Sequence, residues 1–230
     1  MKRIFVSGAS RGIGRAIAEE LAAPETSLLL HGRDSAALKE TQRAVEERGA
    51  RTEIVTCDLS DPDAVNAMAL QIAREPLDVL INNGGIAVVK PLADISLGDW
   101  QRAIAINVTA PFLLTQKLAP AMPRGGSIVN ILSVAAKTGF AGWSSYSTTK
   151  FALEGFSQSI REELRPHGIR VINIYPAATA TGIWEGVEGE WPREKMMSPE
   201  DVADAVRFAL DRPPGLLVEN ISLGRVSGNL

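Results

Sequence analysis

Short apolar runs and longer amphipathic stretches alternate along the whole chain. Turn-forming residues bound each apolar run, and near-continuous apolarity favours strands that are buried on both faces of a parallel sheet. The longer stretches have apolar residues at helical spacing. The predicted strands are residues 3–6, 27–31, 52–56, 77–81, 127–132, 170–174 and 216–223. The predicted helices are residues 13–23, 35–48, 63–74, 100–122 and 146–165, with a further helix start at Ser198.

This alternation predicts an α/β fold with a doubly wound parallel sheet of about seven strands and helices on both faces. The 230 residues contain no linker, repeat or low-complexity run, so one domain over residues 1–230 is expected. Sheets of this kind bind ligands beyond the carboxyl ends of their strands.

Composition narrows the classes of function. A net charge of −3, with scattered Lys and Arg, argues against a nucleic-acid partner. No apolar run approaches the roughly 18 residues of a membrane span, and no signal-peptide pattern opens the chain, so a cytoplasmic protein without membrane contact is expected. Cys57 is the only cysteine, and His31 and His167 have no neighbouring ligand residues, so no metal site is predicted.

A glycine-rich loop directly follows the first predicted strand. Gly8, Gly12 and Gly14 have the spacing G-x3-G-x-G, and a predicted helix begins inside the loop. Such glycines let backbone N–H groups and a helix N-terminus approach a pyrophosphate, so Ser10, Arg11 and Ile13 are also expected at a dinucleotide site. The alternative is that the glycines serve only close packing of helix on strand.

The end of the second predicted strand indicates which dinucleotide binds. Gly32 and Arg33 stand where an NAD site usually has an acidic residue for the ribose 2′-hydroxyl. Arg33 and Arg11 suit a 2′-phosphate instead, because guanidinium groups bind phosphate in a forked geometry. NADP(H) is therefore predicted, with NAD(H) as the alternative. Asp34 would be that acidic residue in a shifted register, but it fits better as the cap of helix 35–48.

Tyr146 and Lys150 are candidate acid/base residues. Four residues apart on a predicted helix, they lie on the same helix face. A phenol titrates near ~10, and a nearby ammonium group favours its ionised form. The pair is suited to exchange a proton with a carbonyl or an alcohol, although a solvated ion-dipole pair has the same spacing.

Together these motifs resemble the short-chain dehydrogenase/reductase family over essentially the whole chain. The closest likeness is to members that act as 3-oxoacyl-(acyl carrier protein) reductases or carbonyl reductases. The resemblance implies a Rossmann-type fold and hydride transfer from a nicotinamide coenzyme. The residues that carry it are Gly8, Gly12, Gly14, Cys57-Asp58-Leu59, Asn82-Asn83-Gly84-Gly85, Asn107, Ser133, Tyr146, Lys150 and Pro176.

The resemblance also implies a role for each site residue. Tyr146 would exchange the proton with the substrate oxygen, Lys150 would lower the phenol pKa and hold the nicotinamide ribose, and Ser133 would bind the carbonyl oxygen. Asn107 would anchor a water molecule that passes protons to Lys150. Asp58 and Leu59 would contact the adenine. Asn82 would line the ribose side, and Thr181 would meet the carboxamide or pyrophosphate. The implied cofactor set is Gly8, Ser10, Arg11, Gly12, Ile13, Gly14, Arg33, Asp58, Leu59, Asn82, Gly84, Tyr146, Lys150, Pro176, Thr179 and Thr181.

A substrate loop is expected near residues 178–197. Trp184 from this loop and Trp143 would wall an apolar pocket beside Ser133 and Tyr146, or the tryptophans only pin the loop to the body. Four acids in the loop disfavour phosphorylated or carrier-bound substrates, because those bring negative charge of their own. They are Glu185, Glu188, Glu190 and Glu194.

The predicted function is NADPH-dependent reduction of a small ketone or aldehyde to an alcohol, or the reverse. A 3-oxoacyl thioester reductase and a non-catalytic NADP-binding regulator are the alternatives. The two long helices carry more apolar residues than the covering of one sheet face requires, among them Phe112, Phe151 and Phe156. Members of the resembled family also pair these two helices between subunits. A homodimer or homotetramer is therefore expected.

Overall fold

Seven parallel strands form the centre of the structure. The computed structural model describes residues 1–185, 187, 189, 191–213 and 215–226. The strands lie in the order β3-β2-β1-β4-β5-β6-β7. The predicted doubly wound parallel sheet is therefore confirmed. The strands are β1 (Lys2–Val6), β2 (Thr26–Gly32), β3 (Arg51–Thr56), β4 (Val79–Asn82), β5 (Ser127–Ile131), β6 (Arg170–Pro176) and β7 (Asn220–Leu223).

Helices cover both faces of this sheet. Alternate residues of each strand enter different cores: Ile4 and Val6 pack in one apolar cluster, whereas Phe5 packs in the other. Both faces of the sheet are therefore buried from solvent, which explains why the strands are apolar almost without interruption. The helices are α1 (Gly12–Glu20), α2 (Ser35–Glu46), α3 (Pro62–Ile72), α4 (Leu97–Ile104), α5 (Ala110–Leu118), α6 (Ser144–Leu164) and α7 (Pro199–Leu210).

Three helix starts follow directly from capping side chains. Asp34 accepts hydrogen bonds from the amides of Ala36 and Ala37, so it is a helix cap as expected. Asp61 caps α3 ahead of Pro62 in the same way. At α7, Ser198 and Asp201 form a reciprocal capping box.

Two elements differ from the sequence-based expectation. The helix predicted over residues 100–122 is divided into α4 and α5 by a π-helical turn, Ala105–Thr109. Pro111 lacks the N–H that would bond to the Asn107 carbonyl in an α-helix, and the turn accommodates this loss. The last strand begins at Asn220 rather than at Leu216, whose amide instead closes a turn onto the Pro213 carbonyl.

The strand order reverses between β2 and β4, which both flank β1. This reversal opens a crevice at the carboxyl ends of β1 and β4. The Ser7 hydroxyl bridges the two ends, because it accepts from the amides of Asn83 (2.9 Å) and Gly84 (3.0 Å) and donates to the Ile81 carbonyl. In the part of the chain that the structure describes, no helix combines the length and apolarity needed to cross a membrane.

Replacing Gly14 by Ala is expected to lower the free energy of unfolding by about 2 kcal/mol or more. A Cβ at Gly14 would lie 2.1 Å from the Gly8 carbonyl oxygen, which belongs to the backbone and has no room to move. The matched control is Gly98→Ala in α4, where the nearest atom would be 3.7 Å away. It is expected to stabilise by about 0.5–1 kcal/mol. Urea unfolding of both variants measures the difference, and equal stabilities would contradict it.

Candidate active site

A cleft of about 530 Å³ opens at the carboxyl ends of the strands. Twelve of the sixteen residues expected to bind a cofactor line it. They are Gly8, Ser10, Arg11, Gly12, Ile13, Arg33, Asp58, Leu59, Gly84, Tyr146, Lys150 and Thr181. The structure therefore brings the glycine loop, the end of β2 and the Tyr146–Lys150 pair into one continuous space.

The glycine loop owes its shape to residues without a Cβ. Gly8 and Gly12 have φ of +69° and +56°, values that L side chains rarely adopt. Gly12 faces Thr181 across the cleft, where a Cβ would be 3.1 Å from the Thr181 methyl. The loop leads into the N-terminus of α1, whose free backbone N–H groups suit an anion. The residues present therefore fit the pyrophosphate of a dinucleotide.

Both arginines expected at the coenzyme's 2′-position lie at this end of the cleft. Arg33 is 3.7 Å from Asp58, and Arg11 is 3.4 Å from Glu185. Hydrogen bonds from Ser60 are the main cause of the lowered pKa of Asp58, and Arg33 adds to it. More than half of each guanidinium side chain is exposed, so both remain available to a ligand.

Four residues of the expected cofactor set do not line the cleft. Asn82 is buried, and its amide donates to Asn130 (2.9 Å) and Thr115 (3.4 Å), so it ties β4 to its neighbours instead of lining a ribose. Gly14 serves close packing of α1 on the Gly8 backbone. Pro176 pairs with β7, and the Thr179 hydroxyl donates to the Ala177 carbonyl.

The two residues that follow Asn82 lie in the cleft, where Asn82 itself was predicted. Asn83 and Gly84 line the cleft, and the Asn83 amide donates to the carbonyls of Ser7 and Gly8. Gly84 faces the Leu59 side chain. A Cβ there would lie 2.7 Å from a Leu59 methyl, so this glycine lets Leu59 pack closely.

His31 also lines the cleft, although no partner for it was predicted from the sequence. It is 1% exposed, and its Nδ1 accepts from the Gly8 amide (3.4 Å) while its Nε2 lies 3.2 Å from the Cys57 carbonyl. Burial lowers the pKa of His31 to about 4, so it is neutral at physiological pH. The sequence feature that could have indicated this role is the position of His31 at the end of a predicted strand, just before Gly32.

Tyr146 and Lys150 are both buried in α6, at the inner end of the cleft. Burial raises the pKa of Tyr146 to about 12, and a hydrogen bond with the Ser133 side chain acts in the opposite direction. Burial also lowers the pKa of Lys150 to about 8. Lys150 Nζ donates to the Ile131 carbonyl (2.9 Å) and lies 5.5 Å from the centre of the Tyr146 ring.

The raised pKa of Tyr146 differs from the sequence-based expectation. Lys150 was expected to lower the phenol pKa, but the loss of solvation on burial outweighs any such effect here. Tyr146 therefore holds its proton at neutral pH. Ser133 lies beside it as expected, and the Ser133 hydroxyl also accepts from the Ala135 amide.

Asn107 lies in the π-helical turn, and its side chain is fully engaged. It accepts from the Ile86 amide (2.9 Å) and donates to the Ile86 carbonyl (2.8 Å) and to Thr149 (3.0 Å). Thr149 in turn donates to the Tyr146 carbonyl. Asn107 thus connects the segment after β4 to the helix that carries the acid/base pair.

Tryptophan rings adjoin the phenol. Trp143 meets Tyr146 and Trp184 edge to face, with ring centroids 5.6 Å apart in both pairs. Trp191 completes the group at 4.7 Å from Trp184. The expected substrate residues Trp143 and Trp184 therefore do meet beside Tyr146, whereas Trp191 was not predicted there. Its place in the same loop was the only signal. Glu188 and Glu190 of that loop lie outside the described residues.

Comparison with known proteins assigns the family. The model of the short chain dehydrogenase family matches residues 2–190. A sepiapterin reductase from Chlorobaculum tepidum is 34% identical, with 100% of this chain and 99% of that protein covered. A 3-oxoacyl-(acyl carrier protein) reductase from Aquifex aeolicus is also 34% identical, with 89% and 88% covered.

Solved structures agree with this assignment. A metagenomic short-chain oxidoreductase in complex with NADP is 32% identical and superposes with a TM-score of 0.83, with 96% of each chain covered. Other solved structures that cover 96% of this chain are also complexes with NADP or NADPH. With both the sequence motifs and the fold in agreement, this chain belongs to the short-chain dehydrogenase family of oxidoreductases.

Proposed function

We propose that this protein is an NADPH-dependent reductase of a small ketone or aldehyde, or the corresponding alcohol dehydrogenase. The observation that carries the proposal is that Tyr146 and Lys150 line a cleft that begins at a glycine loop, and that the Ser133 side chain is hydrogen-bonded to Tyr146. A binding protein would not need a buried proton donor there, which argues against a non-catalytic regulator.

The chain's own residues fit NADP(H). The backbone of Gly8–Gly12 and the start of α1 would hold the pyrophosphate, and Arg11 and Arg33 would hold a 2′-phosphate. Asp58 and Leu59 line the same outer end of the cleft and would contact the adenine. Bound NADPH would supply the hydride. The related structures that contain NADP or NADPH support this choice over NAD(H).

Tyr146 would give its proton to the substrate oxygen during reduction. A phenol with a pKa of about 12 stays protonated at neutral pH, yet it is a stronger acid than the alcohol that forms. The Ser133 hydroxyl would be a second donor at the same oxygen. Lys150 would hold the ribose and stabilise the phenolate left behind. The Asn107 carbonyl, which has no α-helical donor because residue 111 is proline, would anchor the water that returns a proton.

Replacing Tyr146 by Phe is expected to lower kcat/KM by about 10²–10⁴-fold, because the proton donor is lost. The measurement is NADPH absorbance with a panel of ketones and aldehydes that includes an acetoacetyl thioester. Thr148→Val is the control, because it removes a hydroxyl from the exposed side of the same helix, where, among the described residues, that hydroxyl bonds only to the Ser144 carbonyl. Equal turnover by wild type and Tyr146→Phe would end the assignment. Preference for the thioester would favour the 3-oxoacyl reductase alternative.

Replacing Arg33 by Gln is expected to lower the preference for NADPH over NADH by about 10–100-fold, the effect of one lost charge-assisted contact to phosphate. Steady-state kinetics with both coenzymes gives this ratio. Arg43→Gln, an exposed arginine in α2, is the control and is expected to keep the wild-type ratio. An unchanged ratio in Arg33→Gln would refute the placement of the 2′-phosphate.

We also propose that the single domain of residues 1–230 acts in the cytoplasm as a homodimer or homotetramer. An apolar groove of about 650 Å³ runs between α5 and α6, and its lining includes Phe112 and Phe156. Phe112 is 40% exposed and Phe151 is 47% exposed. Covering such a surface with a second copy would remove it from water.

Light scattering is expected to give a dimeric or tetrameric mass for the wild type. Phe112→Glu is expected to shift it toward the monomer, because the carboxylate would be buried without a partner. Leu70→Glu, at an exposed position of α3, is the control and is expected to keep the wild-type mass. A monomeric wild type would rule the proposal out.

A further inference from the structure

We infer that Trp143, Trp184 and Trp191 form an aryl subsite, so that the preferred substrate carries a flat aromatic ring next to its carbonyl. This inference rests on the proposed reductase function and names the substrate class of the same site. Trp143 immediately precedes α6, which carries Tyr146, and its ring meets the Tyr146 ring edge to face at 71°. Trp143 therefore joins the group of indoles to the ring of the residue that would protonate the substrate.

The three indoles are arranged as an open aromatic group rather than as a closed core. Trp143 meets Trp184 at 65° and Trp191 at 87°, and Trp184 and Trp191 lie 4.7 Å apart. All three side chains are only half-buried. Each side chain thus keeps part of its surface accessible to a ligand, and the group adjoins Tyr146, which lines the cleft.

Anchoring of the loop does not require this group. The loop is already fixed by backbone hydrogen bonds between Met197 and both Ala178 and Ala180. Arg193 donates to the Thr181 carbonyl (2.5 Å), and Trp184 Nε1 donates to the Thr179 carbonyl (2.8 Å). The loop is therefore anchored by contacts other than those between the three indole rings.

Ring chemistry selects the substrate class. Aromatic rings attract one another through positive edges and negative faces, whereas a saturated ring of the same size gains only from burial. A cyclohexyl group is at least as hydrophobic as a phenyl group, so burial alone would not favour the aryl compound. A preference for phenyl over cyclohexyl would therefore report the aromatic contacts themselves.

The test compares kcat/KM for acetophenone and cyclohexyl methyl ketone with NADPH. The ratio of kcat/KM for acetophenone over cyclohexyl methyl ketone is expected to be about ten-fold higher in the wild type than in Trp191→Leu, the effect of one to two aromatic contacts. Trp100→Leu is the control, because Trp100 lies in α4 and has no ring contact with the three indoles among the described residues. Comparing ratios between variants cancels the intrinsic difference in reactivity between the two ketones.

Binding is measured independently of turnover by calorimetry with the product alcohols, 1-phenylethanol and 1-cyclohexylethanol. Tighter binding of the aryl alcohol that is lost in Trp191→Leu supports the subsite even if neither ketone is reduced, in which case only the proposed reductase function fails. Equal affinities, tighter binding of the cyclohexyl alcohol, or an aryl preference that survives in Trp191→Leu would overturn the inference.

Discussion

The close approach of the ends of β1 and β4 is the constraint on which the site depends. Ser7 receives hydrogen bonds from two successive amides after β4, and Asn83 returns hydrogen bonds to the carbonyls of Ser7 and Gly8. A side chain at Gly8 would lie 2.9 Å from the Gly84 Cα, so the two backbones meet with nothing between them. The glycine loop is held open toward the cleft because its other side is fixed in this way.

The fold was predictable because its signals are local and repeated. Both sheet faces are buried, so each strand is apolar, and caps such as Asp34 and Ser198 mark helix starts by chemistry that acts within one turn. The π-helical turn at Asn107 was not predicted, since hydrophobic periodicity does not record a one-residue shift. Pro111 was the only sequence signal for it, because its missing N–H leaves the Asn107 carbonyl without an α-helical partner.

Site residues could be predicted where their position along a strand, helix or loop determines which other residues lie near them. Arg11, Arg33 and Tyr146 follow from loops and helices that meet at one sheet edge, and the structure brings them to one cleft. Asn82 was misplaced because neighbouring residues at a strand end point to opposite faces, and only three-dimensional packing selects Asn83 for the cleft. The raised pKa of Tyr146 could not be predicted from the sequence, because burial is a property of the whole fold and is absent from an i,i+4 spacing.

A row of asparagines outside the cleft also helps to position the site residues. Asn82, Asn130, Asn173 and Asn220 are register partners on four adjacent strands. Asn130 donates to Ser157, and Asn173 donates to Glu154, which also bonds to the Tyr175 hydroxyl. Ser157 and Glu154 both belong to α6.

Asn82, Asn130 and Asn173 of this row are buried, and buried side-chain amides cost free energy unless they are paired. The bonds of Asn130 and Asn173 to α6 therefore favour one register of this helix over β5 and β6. That register sets where Tyr146 and Lys150 emerge at the cleft. Apolar packing holds α6 against the sheet, but the hydrophobic effect is not directional in the way that hydrogen bonds are. The hydrogen-bonded row supplies the directional constraint, and the Asn107–Thr149 bond supplies a second one near Tyr146 itself. The placement of the acid/base pair is therefore determined by polar groups inside the core as much as by the residues that line the cleft.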